Sequence, residues 1–235
     1  MFLSSFFMPV LSLEREDRYG GEDMYRETRN YENVQRACFP GVGLFDTPEV
    51  NAEKISLPSQ WVEFSAASKE KEPWRTGVHF FIDDYRFERV WQQPERYATM
   101  LKRFGAVAGP DFSLYRDFPQ AVQIWNHYRR HWLEAYWQMR GVKVIPCVSW
   151  SDEQSFAWCF DGDPSGSTVM ISSVGTQADS KSKELFLRGY EAMRERLRPS
   201  MVLLYGDAPK ELSGDVTEVR PFQDRFSCGR SEEVV

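Results

Sequence analysis

Residues 142–152 read VKVIPCVSWSD, an apolar run that ends in hydroxyl, aromatic and acidic side chains. Four other apolar runs lie between residues 77 and 207, most of them end in a polar cluster, and helical patterns alternate with them. The five runs are Gly77–Ile82, Ala106–Gly109, Val142–Val148, Thr168–Ser172 and Met201–Tyr205. Strands buried on both faces have continuous apolar sequences, and their alternation with helices is typical of parallel βαβ units. The chain is therefore predicted to be an α/β protein.

The spacing of these runs leaves two architectures open. Successive runs begin about 30 residues apart, which is the length of one βα unit. Five such units are visible and residues 39–64 leave room for one more, whereas a closed eight-stranded barrel needs about 250 residues. We therefore predict either a partial or shortened (β/α) barrel-like parallel sheet or an open doubly wound sheet. In both architectures ligands bind beyond the carboxyl ends of the strands.

Composition bounds the class of protein. Aromatic residues make up 15% of the 235 residues, which is too many for a disordered chain and enough for a large core. The net charge of −6 argues against a nucleic-acid coat protein, although it leaves room for a local basic face. Four cysteines lie without a C-x-x-C pair, so we expect buried thiols and a reducing, cytoplasmic compartment. The apolar start lacks the features of a secretory signal, and no run reaches the ~18 residues of a membrane span, so no membrane partner is expected.

Charge and turn residues divide the chain into three predicted parts. Residues 1–38 form a charged N-terminal arm, residues 39–207 the α/β core domain, and residues 208–235 a peripheral C-terminal segment with little periodicity. Helices are predicted at residues 87–104 with a break at Pro94, and at residues 119–139, 155–160 and 182–197. The sequence does not specify an oligomeric state.

The longest predicted helix, at residues 119–139, has two contrasting faces. Four residues that recur at helical intervals are predicted to face the core: Trp125, Trp132, Tyr136 and Met139. Arg129 and Arg130 are predicted to be exposed, in a basic surface that also includes Arg140 and Lys143.

Four acidic residues follow predicted strands and are candidate catalytic groups: Asp83, Asp84, Asp111 and Asp152. Carboxylates at strand ends bind metals, act as general bases or hold the hydroxyl groups of a sugar. The alternative is that they cap the helices that follow, since Asp is a favoured N-cap residue. Asp111 follows Gly109-Pro110, where the glycine permits close approach of the backbone to a ligand, so it is the leading candidate.

Further residues at the strand ends are predicted to bind a ligand: Ser113, Tyr115, Arg116, Ser149, Trp150, Ser173, Gly175 and Thr176. Trp150 offers a flat face on which a base or sugar stacks, or else it closes the core. Residues 172–177 read SSVGTQ, and small hydroxyl residues with a glycine before a helix suit an anion. The segment matches neither the G-x-G-x-x-G fingerprint nor the P-loop, so the sequence specifies no cofactor.

The longest predicted helix carries a histidine pair with one feature of a metal site. His127 and His131 have the i, i+4 spacing of metal ligands. Arg129 and Arg130 lie between them, and positive neighbours oppose a divalent cation. We therefore predict no metal site.

Four segments carry a resemblance to a known family. They are GPDFSLY at residues 109–115, AVQIWN at 121–126, VIPCVSW at 144–150 and STVMISSVGT at 167–176. These segments resemble an uncharacterised family, a domain of unknown function found in phages, prophages and conjugative elements. The likeness spans residues 35–207 and implies a mobile-element context, but the family carries no established catalytic residues to transfer.

A second likeness rests on the order of three features. They are the Asp111–Ser113 strand end, Val-Ile-Pro at residues 144–146, and residues 171–175 followed by a helix and LLYG at 203–206. In this order they are similar to the barrel of tRNA-guanine transglycosylases and their phage DNA-modifying relatives. The chain lacks that family's cysteine-rich zinc motif and is shorter.

Two functions from different classes follow from these patterns. The first is a mobile-element or phage accessory protein whose polar pocket binds a nucleotide, a base or a strand of nucleic acid; whether it also modifies this ligand is left open by the sequence. The second is a non-catalytic interaction or regulatory protein that uses the α/β core as a scaffold. An enzyme needs the acidic residues to converge in one concave pocket, whereas acids that cap separate helices favour the scaffold.

Overall fold

The structure, a computed structural model, describes residues 32–176 and 179–220. Most of the predicted N-terminal arm, the Gln177 end of the predicted anion-binding segment and the last 15 residues, 221–235, lie outside the described residues. The chain divides after Cys38 into two units. Residues 32–36 of the first unit form a turn, and everything below concerns the second unit.

The described residues of the second unit contain short strands and helices in alternation. The strands are β1 (Gly41–Val42), β2 (Thr47–Pro48), β3 (Gln60–Glu63), β4 (Thr76–His79), β5 (Ala106–Ala108), β6 (Val144–Ile145), β7 (Thr168–Ser172), β8 (Met201–Tyr205) and β9 (Val216–Val219). The α-helices are α1 (Phe64–Ala67), α2 (Arg89–Gln92), α3 (Pro94–Leu101), α4 (Gln120–Met139) and α5 (Ser180–Leu197). Single 3₁₀ turns occupy Pro73–Arg75, Asp84–Arg86 and Ser155–Ala157.

Every predicted apolar run contains a parallel strand. Strands β3, β4, β5 and β6 form one parallel sheet, and β7, β8 and β9 form another. A single parallel bridge between Cys147 and Met170 joins the two sheets. The predicted parallel arrangement is thus confirmed, although β6 and β7 meet at one bridge rather than along a full ladder. Strands β1 and β2 form a separate antiparallel hairpin.

The strand order decides between the two predicted architectures. Each parallel strand lies beside the strand that precedes it in the chain, without the reversal that defines a doubly wound sheet. The sheet also curls, as a contact between two of its separated strands shows: Phe81 after β4 stacks on Tyr205 of β8 with ring centroids 4.8 Å apart. Within the described residues β3 and β9 do not pair, so the barrel is not closed. The fold is α/β and barrel-like, as the first alternative predicted.

The curled sheet has an apolar core on each face. Side chains from strands β3 and β5 to β9 share the inner core: Trp61, Ala106, Ala108, Ile145, Met170, Leu203, Tyr205 and Val219. The strand residues that point to the other face, among them Val169 and Leu204, pack outward against Phe186 and Tyr190 of α5. Because successive strand residues point to opposite faces, β7 and β8 are apolar at almost every position.

Most of the predicted helices are present with small shifts of their ends. Pro94 separates α2 from α3 as predicted, since a proline cannot continue the hydrogen bonding of the preceding helix. Helix α4 begins one residue after Pro119, and α5 begins at Ser180 rather than at residue 182. The helix predicted at residues 155–160 is only the 3₁₀ turn Ser155–Ala157. None of the described helices is long and apolar enough to cross a bilayer.

The two predicted faces of α4 are partly wrong. Trp132 and Tyr136 are fully buried as predicted, and Trp125 is half-buried. Met139 is instead 56% exposed, because it lies in the last turn, beyond the core. Arg129 and Arg130 are buried, so the predicted basic surface keeps only Arg140 and Lys143, which are exposed.

Candidate functional site

A cleft of about 530 Å³, lined by both polar and apolar side chains, lies at the carboxyl ends of β4 to β7, between these strands and the first turns of α5. Nine of the twelve predicted site residues line it: Asp83, Asp111, Ser113, Tyr115, Arg116, Ser149, Trp150, Gly175 and Thr176. The other three, Asp84, Asp152 and Ser173, do not line the cleft. The convergence of nine residues from four chain segments follows from the parallel strands, whose carboxyl ends meet at one edge.

Asp111 is an acidic residue in the wall of the cleft. Its Oδ1 atom lies 3.7 Å from the Cys147 Sγ atom, which donates a weak hydrogen bond to it. Burial and the nearby charge of Asp84 raise the pKa of Asp111 to about 6, against the opposing effects of the Arg130 cation and the Cys147 thiol. A pKa of this size lies within the range that suits a general acid or base.

Asp83 and Asp84 differ in their surroundings although they are adjacent. Asp83 is exposed and lines the cleft. The Asp84 carboxylate instead accepts two hydrogen bonds from Ser113, at 3.1 Å from its backbone nitrogen and 2.8 Å from its hydroxyl. Asp84 therefore fixes the loop after β5 and acts on Asp111 through its charge.

A second group of contacts behind the cleft fixes the same loop. Asn126 of α4 donates to the Ser113 carbonyl at 2.8 Å. Arg129 donates to Asn126 Oδ1 at 2.6 Å and to Glu88 Oε1 at 2.6 Å. Its guanidinium also lies 4.0 Å from the centre of the Phe112 ring. These contacts explain why Arg129 is buried, contrary to the prediction.

Trp150 forms an aromatic wall of the cleft. Its indole packs on Phe186 of α5 with ring centroids 5.5 Å apart and meets Phe160 edge-on at 6.3 Å. Gly189 of α5 leaves the space that the indole fills, since a Cβ atom at position 189 would overlap it. Trp150 is half-buried, so it is held on one side while another surface lines the cleft.

The segment predicted to bind an anion satisfies many of its own hydrogen bonds. The Val174 N–H donates to Ser172 Oγ at 3.2 Å, and the Thr176 N–H donates to the Ser173 carbonyl at 3.1 Å. Ser173 is buried, and its hydroxyl donates to the Asp207 carbonyl at 2.8 Å. It therefore supports the loop after β8 rather than the cleft.

The backbone N–H groups at the start of α5 also have a hydrogen-bond acceptor within the chain. Asp179 accepts from the N–H groups of Lys181 and Ser182, both at 2.9 Å, so a carboxylate already caps this helix. An anion in the cleft would therefore meet a helix terminus whose charge is largely compensated.

Asp152 has the capping role that the sequence left open as the alternative to catalysis. Its Oδ1 atom accepts from the Ser155 N–H at 3.0 Å, and its carbonyl accepts from the Ser155 hydroxyl at 2.6 Å. These contacts stabilise the turn Ser155–Ala157, as a capping carboxylate does.

A buried cluster of charged residues under the cleft was not found from the sequence. Arg130 donates to both carboxylate oxygens of Asp163 at 3.0 Å, to the Cys147 carbonyl and to His131. Its Nη1 atom lies 3.7 Å from Glu134 Oε1, and this oxygen accepts from the Cys147 N–H at 3.0 Å. All these side chains are almost inaccessible to solvent.

The protonation of this cluster follows from burial and charge. Burial raises the pKa of Glu134 and of Asp163 against the effect of Arg130. Burial and the Arg130 cation hold the pKa of His131 well below its usual range. For Arg130, burial lowers the pKa, but the Asp163 and Glu134 carboxylates outweigh it and raise the pKa overall.

The cluster also contains the one set of metal-ligand side chains that the described residues bring together. Single ligand atoms of His131, Glu134 and Asp163 lie within 4.8 Å of one another. Arg130 contacts all three residues, so its guanidinium already supplies the cation among them. We assign no metal to these residues.

One sequence signal could have indicated the buried charges. Arg130 and Glu134 stand four residues apart on the helix, which is the spacing of an ion pair, and the buried residues Trp132 and Leu133 lie between them. Their third partner, Asp163, lies 33 residues from Arg130, and no local pattern predicts that contact.

Comparison with known proteins identifies the family. Residues 39–223 match the family described as "Domain of unknown function (DUF4417)". The chain belongs to this family. It is 45% identical over 145 residues to the "Gene 1 protein" of Mycobacterium phage L5, across 62% of this chain and 63% of that protein. It is 38% identical over 173 residues to the "Gene 1 protein" of Mycobacterium phage D29, across 73% of this chain and 64% of that protein.

These relatives define what the family match contributes. The chain spans less than two thirds of the length of either phage protein. The resemblance to a phage family of unknown function is confirmed, and a phage accessory role is supported. The likeness to tRNA-guanine transglycosylases receives no support from these comparisons. No solved structure matches the chain.

Proposed function

We propose that this DUF4417 protein is a phage accessory protein whose cleft binds a nucleotide, a base or a strand of nucleic acid, and that Asp111 transfers a proton there. The observation that carries the proposal is the environment of Asp111. Its carboxyl has a pKa raised to about 6 and lines a cleft of which Trp150 is a wall. Perturbed acids in concave sites are typical of groups that carry out chemistry.

The residues around Asp111 suit the parts of a nucleotide. The indole of Trp150 offers a flat surface for stacking a base, an interaction worth about 1–3 kcal/mol per base. Ser113 and Ser149 line the same cleft, and hydroxyl groups bind sugar or base edges. Arg116 is an exposed cation that lines the same cleft, and an arginine there suits a phosphate group.

The test is a thermal-shift screen of bases, nucleosides, nucleotides and short single-stranded oligonucleotides. A ligand that binds only the native state raises the melting temperature. We expect one of these classes to stabilise the parent, and the effect to be lost in Asp111→Asn. Asp152→Asn is the matched control, because it makes the same change outside the cleft and should bind as the parent does. A ligand that stabilises both variants equally would contradict a role for Asp111.

The non-catalytic scaffold remains a second candidate because two of the four proposed catalytic acids have local roles. Asp84 binds Ser113, and Asp152 binds Ser155. If no compound class in the screen stabilises the parent, the scaffold is the better account of the fold.

A further inference from the structure

The Cys147 peptide is held from both sides by two buried side chains of α4. Its N–H donates to Glu134 Oε1 at 3.0 Å, and its carbonyl accepts from Arg130 Nη1. Cys147 follows β6, and its thiol contacts the Asp111 carboxyl. We propose that Arg130 and Glu134 are positioning residues, which hold Cys147 so that its thiol orients Asp111 in the cleft. The catalytic meaning of this inference rests on the proposed function.

Glu134 takes the place of a neighbouring strand at this point. The contact between β5 and β6 continues as far as the Gly109 N–H, which donates to the Ile145 carbonyl at 2.9 Å. At Cys147 the N–H donates to the Glu134 carboxylate instead of to β5. Gly109 makes room for this carboxylate, since a Cβ atom at position 109 would overlap Glu134 Oε1. Glu134 therefore stands between the ends of the two strands, where Asp111 begins the wall of the cleft.

Arg130 is fixed in turn by Asp163. The guanidinium donates to both carboxylate oxygens, each at 3.0 Å, and Asp163 is fully buried with it. Buried ion pairs are costly to desolvate, and well-packed apolar side chains at such positions are often as stable or more stable. Stability alone is therefore a poor reason for these charges, whereas a fixed geometry at Cys147 is a use that apolar side chains could not serve.

The groups that face Asp111 make the inference measurable without any ligand. They are the charges of Asp84 and Arg130 and the thiol of Cys147. Because the thiol donates to the carboxylate, it favours the ionised form, so its removal should favour the protonated form. The influence of the thiol on the titration of Asp111 therefore reports whether Cys147 is in position.

The experiment measures the titration of the Asp111 carboxyl by NMR with and without Cys147→Ala. It does so in three backgrounds: the parent, Glu134→Gln and Glu134→Asp. In the parent we expect Cys147→Ala to raise the pKa of Asp111 by about 0.5. In Glu134→Gln the side-chain oxygen can still accept from the Cys147 N–H, so the same rise should remain. In Glu134→Asp the carboxyl group remains but the shorter side chain withdraws the acceptor, so the rise should disappear.

The two Glu134 variants separate the position of the acceptor oxygen from the presence of a carboxyl group. A rise that persists in Glu134→Asp and disappears in Glu134→Gln would overturn the inference, because the carboxyl group of Glu134, and not the position of its oxygen, would then be what matters. An equal rise in all three backgrounds, or none in the parent, would overturn it too. If Glu134→Gln does not fold, Glu134→Asp still decides, since the rise is lost there only if the position of the acceptor matters. If Glu134→Asp does not fold, Glu134→Ala, which also withdraws the acceptor, takes its place. The measurement uses no ligand, so a failed ligand screen and a failed positioning role remain distinguishable.

Discussion

At the scale of single residues, Asp111 gives the protein a predictable dependence on pH. Its pKa is raised from the ordinary 3.8 to about 6, so in this range the native state holds a proton that the unfolded chain has released. Stability from this residue is therefore fully present below the lower value and is lost as the pH rises through the upper one. In Asp111→Asn this loss cannot occur.

The expected result is a pH-dependent difference between variant and parent. The free energy of unfolding of Asp111→Asn, relative to the parent, should increase between about pH 4 and pH 6.5 and stay constant above. Near pH 4 the two proteins should agree within about 1 kcal/mol, since the change preserves size. Urea denaturation over a pH series measures both quantities. Parallel pH curves for the two proteins would show that Asp111 titrates normally.

At the residue scale, the sequence indicates which side chains follow a strand, but it does not indicate which distant partner a side chain contacts. Asp111, Ser149 and Trp150 were predicted to share a site because each follows a strand, and all three line the cleft. Arg129 and Arg130 are predicted to belong to an exposed basic surface, but they are buried. Glu88 and Asp163, which lie 41 and 33 residues away, pair with them and make burial tolerable.

At the scale of elements, the contact between α5 and Trp150 predicts that Gly189→Ala has opposite effects on stability with and without the indole. Gly189→Ala should destabilise the parent by about 1–3 kcal/mol, because the new methyl group would overlap the indole. In the Trp150→Ala background the overlap is absent, and alanine is the better helix former by up to about 1 kcal/mol. Gly189→Ala should then stabilise the protein.

A double-mutant cycle measured by chemical denaturation tests this contact. If Gly189→Ala has the same effect in both backgrounds, Trp150 does not pack against α5 as described. In the parent background, Gly189→Ala should also weaken the binding of any ligand in the cleft, because it displaces the indole. The thermal-shift screen measures this loss.

The burial pattern of α4 predicts a contrast between its middle and its end. Trp132 is fully buried, so Trp132→Ala should lower the free energy of unfolding by about 3–5 kcal/mol. Met139 is exposed, so Met139→Ala should change it by less than about 0.5 kcal/mol. Denaturant titration of both variants checks the contrast. A large loss in Met139→Ala would restore the original prediction that the core stripe continues to the end of the helix.

At the scale of the whole molecule, the sequence predicted the strand direction better than the extent of the sheet. Long apolar runs such as Thr168–Ser172 predict buried parallel strands, and the structure has them. Strand β9 was not predicted, because Val216–Val219 has exposed polar residues at its centre and lies at an edge. The order of strands, which makes the molecule barrel-like, depends on pairings between residues far apart and has no local signal.

The inner core predicts that β9 is nevertheless part of the cooperative fold. Val219 is 5% exposed and belongs to the core that Trp61 and Tyr205 share, although these residues come from distant parts of the chain. Val219→Asp would bury an unpaired carboxylate and should cost about 2–4 kcal/mol. Thr217→Asp makes an equally charged change at an exposed position of the same strand and should cost less than about 1 kcal/mol. Thermal or urea unfolding of both variants tests this prediction. Equal losses would mean that β9 is an appendage, whereas a loss confined to Val219→Asp would mean that the last described strand contributes to the inner core.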